Sequence, residues 1–323
     1  MMPRLLPLLC LLLPWMPTLS PVLYGQEATT ATDPAAMGEI WQIGIVITAE
    51  GGPCRGVFAS TPVPMDWPEQ TVHLVRQVKS PQIRRVKFRN LREGVRQMVI
   101  EVPRLEDSET AEALLTFKVT KIPPTRTDEL ETYQTPRRSS QTARRYLQPS
   151  PSIESRHPDI ISVAQRIGSS SANAWAQAES IYDWVRSHVQ YQESPLKGAL
   201  AALHDGNGDC EEMTSLFVAI CRAQNIPART VWVPGHCYPE FYLSDSQGKG
   251  CWFSCQAAGE RAFGNVIESR PILQKGDSFR IPGDPEKKTF RYAQLVGSLP
   301  GNGLVHPKIR IVHQRVKGSQ SQD

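Results

Sequence analysis

Cys210 occupies a position where a cysteine can act as a nucleophile. Asp209 before it and Glu212 after it have the spacing of a helix capping box, which predicts that Cys210 lies in the first turn of a helix. The helix dipole favours a thiolate there, and the thiolate is the form that attacks a carbonyl carbon. The carboxylates of Asp209, Glu211 and Glu212 oppose this by raising the pKa of the thiol. A cationic partner is therefore needed, and His236 is the candidate.

The segments around these two residues predict an α+β domain. Apolar residues at helical spacing predict helices over residues 160–167, 174–188 and 211–223. Strands are predicted over residues 229–233, 236–243 and 251–256. We expect the third helix to end with Asn225 in the left-handed conformation, because Pro227 prevents continuation. Helices followed by antiparallel strands are typical of α+β domains.

Three motifs occur in a fixed order around Cys210 and His236. Residues 208–229 read GDCEEMTSLFVAICRAQNIPAR, which resembles the nucleophile helix of the transglutaminase-like superfamily. Residues 236–243 read HCYPEFYL, similar to the histidine strand of that superfamily, and residues 180–191 read SIYDWVRSHVQY, similar to its preceding helix. The resemblance covers residues 159–256 and implies a papain-like cysteine fold with Cys210 and His236 in the catalytic positions.

Gln256 matches the position of the third catalytic residue in this family, which is usually an Asp on the strand after the histidine strand. If the loop closes symmetrically around Gln247, Tyr238 lies opposite Gln256, within two residues of His236 across the ladder. The amide oxygen could accept the imidazole N–H and fix its tautomer, as Asn does in papain-like enzymes. It carries no negative charge to stabilise the imidazolium. Tyr191 matches a family position near the active site, whereas Trp184 and Trp252 are expected in the core.

The remaining cysteines of an exported chain invite disulfides, because the count without Cys10 is even. Cys221 is expected to be a buried small apolar residue. Cys251 and Cys255 share a strand face about 13 Å apart, too far to pair with each other. Cys237 on the neighbouring strand could pair with one of them, and the count leaves Cys54 and all pairings open.

A metal site built from Cys210, His236, Cys237 and one of the two later cysteines is a further alternative. Its spacing matches no common zinc pattern. We therefore expect neither a bound metal nor a cofactor.

The chain divides into four predicted regions. Residues 1–25 combine Arg4 with a leucine-rich run and predict a secretory signal peptide, hence an exported protein, periplasmic or extracellular. Residues 38–121 show short runs of period-two alternation and predict a β-sandwich. Residues 122–158 are rich in Pro and predict a mobile linker. Residues 159–315 form the transglutaminase-like domain, completed by residues 272–282 and a closing strand near residues 309–313.

The composition is that of an ordinary globular protein, with 323 residues, of which 40% are apolar and 21% charged. The net charge of +4 is spread along the chain. The densest basic run, Arg137-Arg138 and Arg144-Arg145, is better explained by a solvated linker than by a nucleic-acid patch. We expect no nucleic-acid partner, and no integral membrane segment after signal cleavage.

Two hypotheses for function follow from these residues. In the first, Cys210 attacks a peptide or amide carbonyl of a peptide or protein substrate, His236 transfers protons, and Gln256 orients His236. Hydrolysis is favoured over crosslinking, because no feature marks a dedicated amine site. In the second, the domain is a degenerate binding module that keeps the fold without the activity, and the absence of an acid at Gln256 is its main support.

Overall fold

A computed structural model describes residues 38–91, 94–123, 129–168, 171–299, 301 and 303–316. The helices are α1 Gln141–Tyr146, α2 Pro158–Gly168, α3 Ala174–His188, α4 Ala199–Asp205 and α5 Cys210–Ala223. The strands are β1 Glu39–Thr48, β2 Cys54–Val63, β3 Gln70–Lys79, β4 Arg85–Leu91, β5 Val95–Leu105, β6 Thr110–Lys121, β7 Gln190–Tyr191, β8 Asn207–Gly208, β9 Ala228–Val233, β10 His236–Ser244, β11 Gly250–Ser254, β12 Gln274–Lys275, β13 Phe279–Arg280, β14 Thr289–Phe290, β15 Leu295–Gly297 and β16 Lys308–Val316. The predicted signal peptide at residues 1–25 lies outside the described residues. Within them, no helix has the length and apolar character needed to cross a bilayer.

Two antiparallel sheets form the N-terminal β-sandwich. Their strand orders are β16-β1-β6-β3 and β15-β2-β5-β4. Ile43, Ile45 and Ile47 alternate along β1 and are fully buried, as the period-two pattern predicts. They share one core with Met98 and Ile100 of the second sheet. The predicted sandwich is therefore confirmed.

The C-terminal strand differs from the prediction, which places it in the later domain. β16 pairs antiparallel with β1 from Ile40↔Val316 to Thr48↔Lys308, and β15 pairs with β2. The reason is burial, because Ile309 and Ile311 pack against the core of the sandwich. The alternation identifies a strand but cannot name its partner. The boundaries at residues 121 and 159 stay a prediction.

The described residues of the predicted linker also differ from a free spacer. Residues 129–158 contain α1, which is capped by Ser140, and a bridge between Gln134 and Ser244. The ring of Tyr133 packs edge-on against Phe253 with centroids 5.3 Å apart. Because apolar side chains of this segment are covered by the later domain, the segment lies along that domain.

Helix α5 is the centre of the α+β domain. All its residues from Glu212 to Arg222 are buried, since α2, α3 and α4 pack on it from one side and β9 and β10 from the other. The sheet has the order β11-β10-β9-β12. Asn225 adopts φ 62°, so the predicted left-handed end of the helix is confirmed. The α+β class is confirmed as well.

The chain from Arg270 to Ala293 contacts both parts of the molecule, because Leu273 packs in the sandwich core and β12 pairs with β9. The side chain of Gln70 on β3 accepts a hydrogen bond from the Ile272 N–H at 2.8 Å and donates to its carbonyl oxygen at 3.0 Å. Gln97 on β5 donates to the Ala293 carbonyl at 2.7 Å. The described residues between 38 and 316 accordingly form one compact unit.

Candidate active site

Cys210 is the first residue of α5, at the N-terminus predicted from the capping box. The Asp209 carboxylate accepts the Glu211 N–H at 2.6 Å, and the Glu212 carboxylate accepts the Asp209 N–H at 3.3 Å, so both halves of the box are present. Gly208 is required beside it, because a Cβ there would lie 2.4 Å from the Cβ of Glu212. Local sequence therefore fixes where the sulfur lies.

The carboxylates around Cys210 have partners that the sequence analysis missed. Glu211 forms an ion pair of 3.1 Å with Arg291, which also donates to the Ser215 hydroxyl at 2.8 Å. Glu212 accepts the main-chain N–H of Lys197 at 3.0 Å. Burial raises the pKa of Asp209 to about 6. Their effect on the sulfur is thus smaller than the count of negative charges implies.

His236 is held between Cys210 and Gln256. Its Nε2 lies 3.0 Å from Oε1 of Gln256. An amide oxygen can only accept, so Nε2 carries the proton, and Nδ1 is the nitrogen left for the hydrogen bond with the Cys210 side chain. The register Glu240↔Ser254 continues through a Cys255 N–H to Pro239 carbonyl bond of 3.0 Å, which confirms the predicted alignment of Gln256. The three residues predicted for the site are therefore adjacent in space.

Arg186 of α3 anchors the chain that carries Gln256. Its guanidinium donates to the carbonyl oxygens of Gln256, Ala257 and Gly259 at 3.0, 3.1 and 2.8 Å. Arg186 lies inside the family-like motif of residues 180–191, and that motif is the only sequence signal for it. Its role could not be predicted, because it depends on how the chain after Gln256 folds back onto α3. It positions Gln256 and, through it, His236.

Cys237 is a thiol against Cys210, not a disulfide partner. The described cysteines are all free, so the suggested bridge from Cys237 to Cys251 or Cys255 is wrong. The sulfur of Cys237 lies 3.5 Å from the Cys210 carbonyl oxygen and also hydrogen-bonds the Cys210 sulfur. Its single S–H can serve only one acceptor, and a thiolate is the stronger of the two. Sequence reasoning missed this contact, because it depends on how α5 packs on β10.

The electrostatics of the site favour a thiolate–imidazolium pair. The hydrogen bond from Cys237, together with the hydrogen bond and charge of His236, outweighs burial and lowers the pKa of Cys210 to about 4. Burial disfavours the imidazolium, but hydrogen bonds to Cys210 and Gln256 outweigh it and raise the pKa of His236. The raised pKa expected from carboxylates alone is therefore reversed.

Other motif residues are structural. Arg229 and Glu240 form a buried ion pair of 2.8 Å between β9 and β10, and Lys275 contacts the same carboxylate at 2.6 Å. Cys221 is fully buried, as predicted, and burial raises its pKa well above the usual range. Within the described residues, no group of three or more His, Cys, Asp or Glu side chains could hold a metal ion.

Tyr191 lies at the exposed side of the site. It pairs with Gly208 through the short β7–β8 ladder and is 60% exposed. Partial desolvation and the negative charge of Cys210 raise the pKa of Tyr191.

Comparisons with known proteins agree with this fold. Residues 161–257 match the model of the transglutaminase-like superfamily. A search of curated proteins finds no match. A solved structure described as a proposed cysteine protease from Cytophaga hutchinsonii aligns with a TM-score of 0.58 and 17% identity, over 88% of this chain and 93% of that one. That likeness shows a shared fold.

Two further structures align more weakly. The periplasmic domain of TgpA from Pseudomonas aeruginosa has a TM-score of 0.32 and 12% identity, over 69% of this chain and 90% of that one. A proposed protease from Parabacteroides distasonis has a TM-score of 0.29 and 14% identity, over 72% of this chain and 48% of that one. The family match therefore shows that residues 161–257 are similar to the transglutaminase-like superfamily, and the chain has a general thiol-enzyme-like fold.

Proposed function

We propose that this chain is an exported thiol enzyme that hydrolyses peptide or amide bonds through Cys210 and His236, with Gln256 as the residue that orients His236. The observation that carries the proposal is the double hydrogen bonding of His236, to the Cys210 sulfur on one side and to Gln256 on the other. This arrangement keeps a nucleophile charged and places a proton donor beside it.

In the first step, the Cys210 thiolate attacks the carbonyl carbon, and negative charge moves to the carbonyl oxygen. The Asp209 side chain accepts the N–H groups of Glu211 and Glu212, the two residues that follow Cys210 in α5. The main-chain N–H of Cys210 is therefore suited to bind the carbonyl oxygen. The C–N bond then breaks while the imidazolium of His236 gives its proton to the leaving nitrogen. A thioester on Cys210 and neutral His236 result.

In the second step, His236 takes a proton from water as the water attacks the thioester carbonyl. The C–S bond breaks, and the thiolate–imidazolium pair is restored with release of a carboxylic acid. Cys210 and His236 are both only partly buried, so water has access to the thioester. This access permits hydrolysis.

The decisive experiment is the pH dependence of iodoacetamide labelling at Cys210. With a thiol pKa of about 4, labelling should stay fast at pH 5, because the thiolate is lost only as the pH falls through that value. His236→Ala should move labelling to higher pH. If Cys210 labels only above about pH 8.5, the value of a free thiol, and His236→Ala has no effect, the chain is a degenerate binding module.

Hydrolysis and amine transfer are then separated on a protein substrate. Release of new N-termini or ammonia without incorporation of a fluorescent primary amine supports hydrolysis. Preferential incorporation of the amine would reassign the chain to crosslinking with the same Cys210 chemistry.

A further inference from the structure

A basic cleft of about 380 Å³ lies at the far end of α5 from Cys210. It forms where α1 and the chain before α2 meet the C-terminal end of α5. Ala143, Leu147, Ile161 and Ala223 supply apolar wall. Because α5 is 14 residues long, the cleft is about 20 Å from the nucleophile. It is therefore separate from the candidate active site.

Arginines dominate the cleft. Arg138, Arg144, Arg156 and Arg222 all line it. Arg222 is neutralised, because it forms a buried ion pair of 2.8 Å with Asp277. The other three belong to the basic region that the sequence alone attributes to a solvated linker and to the residues just before α2. Folding of this segment onto the domain brings their charges together.

These three arginines have no carboxylate partner among the residues that the structure describes. Arg138 donates to the amide oxygen of Asn225, and Arg156 donates to that of Gln148, so both contacts are to neutral groups. The carboxylate of Asp159, three residues after Arg156 in the sequence, lies 2.8 Å from Nε2 of His204. Three positive charges on one cleft are thus left without compensation, which favours an anionic ligand.

Ser155 gives a second and independent indication. It lines the same cleft, is only 3% exposed, and its hydroxyl has no hydrogen-bond partner among the described residues. A buried hydroxyl without a partner is costly, and native proteins usually pair such groups with protein, water or ligand. A hydroxyl donor in the same cleft as three arginines is an arrangement that an oxyanion satisfies.

We propose that this cleft binds a phosphate monoester group. Guanidinium groups match phosphate oxygens in charge and geometry, and three of them suit a dianion better than a single carboxylate. A cleft of about 380 Å³ is at the small end of ligand sites. The apolar wall can contact a short organic group attached to the phosphate. A small phosphorylated metabolite and the headgroup of a phosphatidic-acid lipid share this chemistry.

Calorimetric titration of the mature chain with inorganic phosphate, at low ionic strength, tests the site. We expect saturable binding, weakened at least about tenfold by Arg144→Gln combined with Arg156→Gln, since each charged hydrogen bond contributes about that factor or more. The matched control is Arg76→Gln combined with Arg85→Gln, two exposed arginines of the sandwich, and should leave the affinity unchanged. Absence of binding, or equal loss in both double variants, would overturn the proposal.

Ser155→Ala separates a ligand-binding role from a structural one. Because the hydroxyl makes no hydrogen bond to the described residues, its removal should not lower the temperature of thermal unfolding without phosphate, while the stabilisation by added phosphate becomes smaller. A second titration with vesicles containing phosphatidic acid distinguishes the sources. Arginine-dependent binding to free phosphate alone assigns a soluble ligand, and binding to vesicles alone assigns a lipid headgroup. If neither phosphate binding nor vesicle binding depends on Arg144 and Arg156, the site does not exist.

Discussion

Oε1 of Gln256 lies 3.0 Å from Nε2 of His236, so a neutral acceptor orients the imidazole where the resembled family usually has a carboxylate. The contact still raises the pKa of His236, because the imidazolium donates a stronger hydrogen bond than the neutral ring. What the amide lacks is the charge that would stabilise the imidazolium further. Gln256 thus sets how strongly the pair with Cys210 is maintained.

Replacing Gln256 tests this relationship directly. Gln256→Ala removes the acceptor and should lower the pKa of His236, measured by NMR titration of its ring. The isosteric Gln256→Glu should raise that pKa, since a carboxylate accepts a charge-assisted hydrogen bond. On an amide substrate, Gln256→Ala should cost about 3- to 10-fold in rate. His236→Ala should cost about 100-fold or more. Equal losses would mean that Gln256 does more than orient the ring.

The thiol of Cys237 is expected to hold Cys210 in the charged form. Cys237→Ala removes a hydrogen bond to the sulfur, and should raise the pKa of Cys210 by about 1 to 2. Labelling with iodoacetamide at pH 5 reports the change, because the fraction of thiolate falls as the pKa rises. Cys255→Ala is the control, since Cys255 is also buried but bonds the Pro239 carbonyl oxygen. An unchanged labelling profile in Cys237→Ala would show that His236 alone maintains the thiolate.

Glu240 is expected to act on stability. Its carboxylate is buried between Arg229 and Lys275, at 2.8 and 2.6 Å. Glu240→Gln leaves the buried Arg229 without a counter-charge and leaves Lys275 with Glu69 alone, so it should reduce the free energy of unfolding by about 3–5 kcal/mol, measured in urea. The control Glu179→Gln removes one partner of the exposed Arg261 and should change the free energy of unfolding by at most about 1 kcal/mol. A small effect at Glu240 would require Glu69, the other partner of Lys275, to compensate.

The parts of the site that follow from local chemistry could be predicted from sequence. The capping box places Cys210 because its partners are within three residues, and the hairpin aligns Gln256 because its loop is short. Contacts between distant segments could not be predicted in this way. Arg291 reaches Glu211 across 80 residues, and only the packed fold brings them together. Residue types at these positions carry no signal of their own.

The same limit applies to the C-terminal strand. Alternating Ile309 and Ile311 indicate a strand with one apolar face, which any sheet with a free edge could accept. The structure pairs it with β1, in a register where Arg310 lies opposite Val46. Residues opposite each other in an antiparallel pair have Cα atoms about 4.5 or 5.5 Å apart, within the range that a disulfide spans.

This register predicts which pair of introduced cysteines will form a crosslink. Val46→Cys with Arg310→Cys, in a chain carrying Cys210→Ala so that the reactive thiol cannot exchange, should form a disulfide under mild oxidation, detected by peptide mapping without reductant. Val46→Cys with Gln314→Cys is the matched control, because position 314 is on the same face but about 13 Å further along the strand. It should stay reduced. Crosslinking of the control in place of the first pair would show that β16 pairs in another register, and absence of both crosslinks would remove the strand from the sandwich altogether.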